Sequence, residues 1–108
     1  MPRQHLGEFE QVLLYALLRL GDGAHSGAIR DDVYERTGRA LSPGAVYTGL
    51  DRLCRRGFVT SSLGEATPER GGKRKRHYAL RPAGRAALAG MHAALEQMSR
   101  GLKPKLVR

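Results

Sequence analysis

Residues 42–63 read Ser-Pro-Gly-Ala-Val-Tyr-Thr-Gly-Leu-Asp-Arg-Leu-Cys-Arg-Arg-Gly-Phe-Val-Thr-Ser-Ser-Leu, a helix followed at once by a strand. Ser42 is a natural N-cap, because its hydroxyl can accept from an amide that the first turn leaves unbonded. Pro43 suits the first helical position, where its missing N–H costs nothing. Val46, Leu50 and Leu53 then recur at helical spacing, with Cys54 beside them, so the helix over 43–56 has one buried side. Gly57 is its expected stop. Residues 58–63 are rich in β-branched and aromatic types and read as a strand. The opposite side of this helix carries Ser42, Gly44, Ala45, Tyr47, Thr48 and Arg52, two of them small enough to let a backbone approach another molecule.

Working upstream, residues 38–41 form a short link to a second helix. That helix is expected over 26–37, with Ser26 as N-cap, Ile29 and Val33 facing inward and Gly38 closing it. Two helices joined by four residues make a helix-turn-helix pattern. Before them, Gly21-Asp22-Gly23 ends a first helix over 6–20. Its apolar stripe includes Phe9, Val12, Leu13, Ala16, Leu17 and Leu20. Leu14 and Leu18 widen the stripe beyond one core face, which suggests contact with a second chain.

Downstream, a Pro- and Gly-containing loop over 64–75 leads to a strand over 76–80, the expected antiparallel partner of 58–63. Lys73, Arg74, Lys75 and Arg76 form an unbroken cationic run where loop meets strand. Residues 1–65 carry eight bases and eight acids, whereas 66–108 carry eleven bases and two acids. The net charge of +9 therefore sits in the second half and points to a polyanionic partner. Like charges packed at a hairpin tip repel one another, which favours a binding role over a purely structural one. Strand alternation places Arg74, Arg76 and Tyr78 on one face and Lys73, Lys75 and His77 on the other.

The final helix is expected over 82–102, with a frayed basic tail after it. Leu88, Met91, Leu95, Met98 and Leu102 fall at alternating steps of three and four, the spacing of a coiled-coil seam. Ala87 and Ala94 flank that seam and permit close approach. The seam, together with Leu14 and Leu18, is the expected dimer interface.

Other classes of function fit poorly. One cysteine cannot form an internal disulfide or a Cys-rich zinc site, and His5, His25, His77 and His92 lack metal-ligand spacing. Gly71-Gly72-Lys73 fails as a phosphate loop, because Thr67 and Arg74 stand where glycine and Ser or Thr are needed. No nucleophile motif or carboxylate pair suggests catalysis. Cys54 reads as a small core residue rather than a redox sensor. The longest apolar stretch is too short to span a bilayer, so the expectation is a cytoplasmic, cofactor-free, non-enzymatic protein with no membrane role.

Helix, helix-turn-helix, then a hairpin with a basic loop is the order of a winged helix. The expected class is α+β and mostly helical: three helices, a two-stranded wing and a C-terminal dimerisation helix. Residues 1–81 would form the DNA-binding domain and 82–108 the dimerisation helix and basic tail. The sequence also resembles the PadR family of winged-helix regulators. The resemblance rests on Leu41-Ser42-Pro43-Gly44-Ala45-Val46-Tyr47 with Leu50-Asp51-Arg52-Leu53, on residues 71–84, and on Leu6-Gly7-Glu8-Phe9-Glu10. It implies a homodimeric repressor whose extra C-terminal helix makes the dimer contact. Two departures stand out. Thr48 replaces a common proline, and His25-Ser26-Gly27 replaces an aromatic-glycine-aromatic start to the second helix, so any phosphate contact made by that aromatic lacks its residue here.

The reading that follows is a sequence-specific regulator on a palindromic operator, with a basic RNA-binding protein as the alternative. Ser26, Ser42, Gly44, Ala45, Tyr47, Thr48, Arg52, Lys73, Arg74, Lys75 and Arg76 are the expected contacts to double-stranded DNA. Tyr47 and the helix amides near it suit a phosphate, Thr48 a phosphate or thymine methyl, and Arg52 a guanine. Some family members bind aromatic or drug-like effectors near the dimer interface; with no Trp and few aromatics, this chain offers little to stack on one.

Overall fold

The computed structural model describes residues 5–64 and 75–107. In chain order these form α1 (Glu8–Leu20), β1 (Ala24–His25), α2 (Ser26–Thr37), α3 (Pro43–Arg55), β2 (Val59–Leu63), β3 (Arg76–Leu80), α4 (Pro82–Ser99) and α5 (Lys103–Leu106). The cap signals account for most boundaries. Ser42 Oγ accepts from Ala45 N at 3.1 Å, Pro43 opens α3, and Gly38 closes α2 in the left-handed region with φ 73°. The cap of α2 is a correction. His25, not Ser26, occupies it, and its Nδ1 accepts from Ala28 N at 3.3 Å. An imidazole nitrogen can serve as acceptor where a hydroxyl was expected. α1 likewise begins two residues later than its periodicity indicates. Leu6 lies outside the helix yet is buried, while Gly7 N donates to Glu10 Oε1 at 2.9 Å.

The sheet has three strands in the order β1-β3-β2, both pairings antiparallel. Val59 faces Leu80 and Leu63 faces Arg76, as a hairpin register requires. The third strand, which the sequence pattern does not signal, pairs Ala24 with Tyr78 and His25 with His77. Two residues without a β-branched side chain give no strand signal; the pairing exists because β3 offers its second edge.

Leu13, Leu14 and Leu17 of α1, Ile29 and Val33 of α2, and Val46, Leu50 and Leu53 of α3 meet in one core that Phe58, Val59, Tyr78 and Leu88 complete. Two glycines permit close approaches between helices and the rest of the core. A Cβ on Gly49 would stand 2.6 Å from Leu13 Cδ1, where α3 crosses α1. One on Gly84 would stand 2.3 Å from the Phe58 carbonyl oxygen, where α4 begins. Backbone cannot move aside as a flexible side chain can, so Gly84 admits no larger residue there.

A half-buried ion pair ties the ends of this core together. Arg56 Nη1 donates to both Glu10 oxygens, at 2.7 and 2.9 Å, its Nη2 donates to the His5 carbonyl, and its guanidinium lies 4.9 Å from the centre of the Phe58 ring. Burial pushes the Glu10 carboxyl up, but the Gly7 amide and the Arg56 and Arg52 guanidinium groups together outweigh it and hold the carboxyl below its ordinary value.

α4 is held mainly by its first half. Gly84 and Leu88 are buried, Ala87 and Met91 are partly so, and the Tyr15 hydroxyl bonds His92 Nδ1 at 2.8 Å. Beyond His92 the helix is largely uncovered. The radius of gyration, 15.7 Å, exceeds the roughly 13 Å of a compact domain this size, as a projecting helix requires. The tail is not uniformly frayed: after a break near Arg100, residues Lys103–Leu106 form a further short helix.

Candidate nucleic-acid interface

α3 has its apolar side in the core and its other side open. Gly44, Ala45, Tyr47, Thr48, Arg52 and Arg55 are all exposed, Tyr47 to 56%. The Ser42 hydroxyl also lies on this surface, although its oxygen already caps the helix. Asp51 pairs with Arg55, at 2.6 Å, rather than with Arg52. Arg52 is exposed, and its positive charge adds a small lowering effect on the Glu10 carboxyl. Ser26 is half-buried in the first turn of α2.

The hairpin stands against one flank of α3. Tyr47, Asp51 and Cys54 from the helix and Ser61, Arg76 and Tyr78 from the sheet line a cavity of about 120 Å³ between them. Arg76 Nη1 donates to Ser61 Oγ at 3.0 Å, and Gly64 N donates to the Lys75 carbonyl at 2.7 Å, closing the base of the hairpin. Arg76 and Tyr78 point to the same face, toward α3, while the His77 ring bonds the Gly23 carbonyl at 2.7 Å. That alternation agrees with the strand pattern in the sequence. Lys75 and Arg76 are both exposed, with Arg76 on the face toward α3; Lys73 and Arg74 lie outside the described residues. Burial pushes both the Cys54 thiol and the Tyr78 hydroxyl up, so neither ionises readily.

The residues expected at a dimer seam divide into two groups. Leu14 is 0% exposed and Leu88 2%, both inside the core of their own chain, which removes them from any surface a partner could touch. The extra leucine of α1 is accounted for internally, because α2, α3 and α4 all close around that helix. Leu18, Leu95, Met98 and Leu102 remain exposed, Met98 to 75%, and Met91 sits at the boundary. Leu95, Met98, Leu102 and Leu106 line an open groove of about 640 Å³ with His92, Glu96 and Ser99. Two residues escape the sequence pattern. Leu106 extends the apolar stripe past α4. Arg55 stands in the middle of the open face of α3, at steps of eleven from Gly44 and seven from Thr48, a helical spacing that the sequence does contain.

Among the described residues no group of His, Cys, Asp or Glu is arranged to hold a metal ion, and no helix is long and apolar enough to cross a membrane. The element order, the sheet topology and the open third helix beside a hairpin are those of a winged helix-turn-helix. Within that class the chain belongs to the transcriptional regulator PadR-like family, whose sequence model matches residues 13–90. The transcriptional regulator Rv3488 of Mycobacterium tuberculosis is 35% identical over 95 residues, spanning 86% of this chain and 85% of that protein. A crystal structure of the transcriptional regulator TA0346 from Thermoplasma acidophilum is 26% identical, covers 92% of this chain and 89% of its own, and superposes with a TM-score of 0.70. PadR of Bacillus subtilis, solved in complex with operator DNA, is 21% identical, covers 77% of this chain and 46% of its own, and has a TM-score of 0.66. The family is one of transcriptional regulators, not enzymes.

Proposed function

We propose that this chain is a cytoplasmic, sequence-specific repressor that acts as a homodimer on a palindromic DNA operator. One observation carries the reading. The open face of α3, with Ser42, Gly44, Ala45, Tyr47, Thr48 and Arg52, adjoins the exposed cation Arg76 of the hairpin, and Lys75, the residue before it, is exposed as well. Small residues at the start of a helix allow it to sit deep in a major groove, and flanking cations neutralise the phosphates on either side. Lys73 and Arg74 continue the cationic run in sequence, and Ser26 adds a hydroxyl at the start of α2. The operator-bound PadR of Bacillus subtilis has the same fold, which supports duplex DNA as the partner.

The C-terminal segment, residues 82–108, acts in this reading as the dimerisation element. Leu95, Met98 and Leu102 form an exposed apolar stripe, Met91 lies at its partly buried end, and Leu18 of α1 is a further exposed leucine. A two-fold pairing through that stripe would set two α3 helices about 34 Å apart, the repeat of one DNA turn, and so calls for a palindrome. A basic RNA-binding protein would share the charge but has no need of this stripe or of a small-residue face on α3.

The test compares duplex DNA with structured RNA at matched salt. Duplex DNA should bind more tightly. With roughly six to eight phosphates neutralised per dimer, log K against log salt should fall with a slope of about −5 to −7. A slope shallower than about −2, or a preference for RNA, refutes the reading.

A further inference from the structure

We propose that Asp51 and Arg55 form a single base-reading unit, in which the Asp51 carboxylate holds the Arg55 guanidinium in place to read a guanine. The inference rests on the DNA-binding reading above and adds a specific position to it. Gly44, Thr48 and Arg55, four and seven residues apart, lie along one line of α3, opposite the buried Val46, Leu50 and Leu53. Gly44 and Thr48 are short, so Arg55 is the one long cation on that line. Its side chain is 79% exposed, whereas the next residue, Arg56, is 31% exposed and locked onto Glu10. Sequence neighbours of the same type therefore do different things: Arg56 holds the fold, and Arg55 projects from it.

The Asp51 carboxylate is out of place on a surface that meets phosphates, because like charges repel. An exposed pair of this kind adds little to helix stability, so stability alone gives it no clear role. Its geometry supplies one. Asp51 Oδ2 lies 2.6 Å from Arg55 Nη2, and among the described residues Arg55 has no other partner. The contact is an ion pair between charges, so the N–H groups of the planar fork remain available. A phosphate contact needs only a mobile positive charge, but bidentate reading of guanine O6 and N7 needs a fork fixed in space. A carboxylate one turn back supplies that fixation and also draws the guanidinium away from phosphates. Asp51 also lines the cavity between α3 and the hairpin, beside Arg76, Ser61 and Tyr78. Arg55 lies about 16 Å along the helix axis from Gly44, so the unit addresses a base pair beyond those beneath the N-terminal turn.

The experiment selects bound sequences from random duplex DNA with the full-length wild type and the variants Arg55→Lys, Arg55→Ala and Asp51→Asn, each checked for folding by circular dichroism. The wild type should enrich a guanine at one position in each half-site. Arg55→Lys keeps the charge but loses the fork, so it should bind unselected DNA about as well as the wild type while preference for that guanine falls on the order of 10-fold. Arg55→Ala should lose the same preference. Asp51→Asn should weaken it and raise affinity for unselected DNA, because the guanidinium is released toward phosphates. Unchanged preferences in Arg55→Lys and Arg55→Ala overturn the proposal and make Arg55 a phosphate contact or a solvated side chain. A full guanine preference in Asp51→Asn overturns the coupled unit. A wild type that enriches no motif sinks the DNA-binding reading itself, an outcome separate from the other two.

Discussion

α1 and α4 carry the same kind of apolar stripe and end in opposite environments. On α1, Leu13, Leu14 and Leu17 are all buried to 1% exposure or less. On α4, Leu88 is buried at one end while Leu95 and Met98 stay 51% and 75% exposed at the other. Helical spacing reports that a helix has an apolar side; it does not report what covers that side. α1 threads between α2, α3 and α4, so Leu14, one of the two leucines that widen its stripe, is covered within the chain, while Leu18 stays 41% exposed. α4, with 18 residues and a length of about 27 Å, outruns the small domain it leaves. A long uncovered run such as that of α4 suits partner contact better than a stripe that is mostly buried in its own core.

Mutations that treat the two helices alike should therefore give unlike results. Leu14→Ala should cost ~2–5 kcal/mol of stability in urea unfolding, because it leaves a void in a close-packed core. A cost below ~1 kcal/mol would mean that α1 has a second, uncovered face after all. Leu95→Glu should change the stability of the folded monomer by less than ~0.5 kcal/mol, since the site is exposed there. It should nevertheless abolish the dimer in sedimentation at micromolar concentration and weaken operator binding through lost bivalency. A dimer like that of the wild type would move the interface elsewhere and remove the contrast.

The Glu10–Arg56 pair sharpens the α1 side of the comparison. The folded-state value of Glu10 lies below the ordinary 4.5, so its contribution is complete above that value and is lost as pH falls through the depressed one. Wild-type stability should drop as pH falls below about 4.5, and Glu10→Gln should flatten that part of the curve. At neutral pH Glu10→Gln should cost ~1–2 kcal/mol, less than a fully buried pair because Arg56 remains partly exposed. The smallest effect belongs to the wing. Lys75→Ala should lower affinity for all duplex sequences alike and reduce the salt slope by about one, without altering base preference. A change in preference would make Lys75 a reader rather than a phosphate contact.

Much of the α3 and hairpin side is legible in the sequence. Ser42, Pro43, Gly38 and Gly57 punctuate the chain through local hydrogen bonds and backbone freedom, and such signals act within a few residues of their source. α2, α3, β2 and β3 accordingly fall within one or two residues of their expected bounds. β1 is not legible, because Ala24 and His25 become a strand only when β3 supplies its free edge. His25 is likewise unreadable as a cap, since imidazole rarely serves as one. The Glu10–Arg56 pair joins residues 46 apart in the chain, beyond the reach of any local pattern.

The sequence by itself determined the order of elements, the open face of α3 and the placement of positive charge in the second half. These follow from periodicity, caps and composition, all of which act along the chain. Only the tertiary structure decided which apolar residues are already covered, which of the adjacent arginines Arg55 and Arg56 is locked and which projects, and that Asp51 grips Arg55 rather than Arg52. Those outcomes depend on how distant segments meet in space. A helix reads the same along the chain whether its neighbour is its own core, a second copy or water.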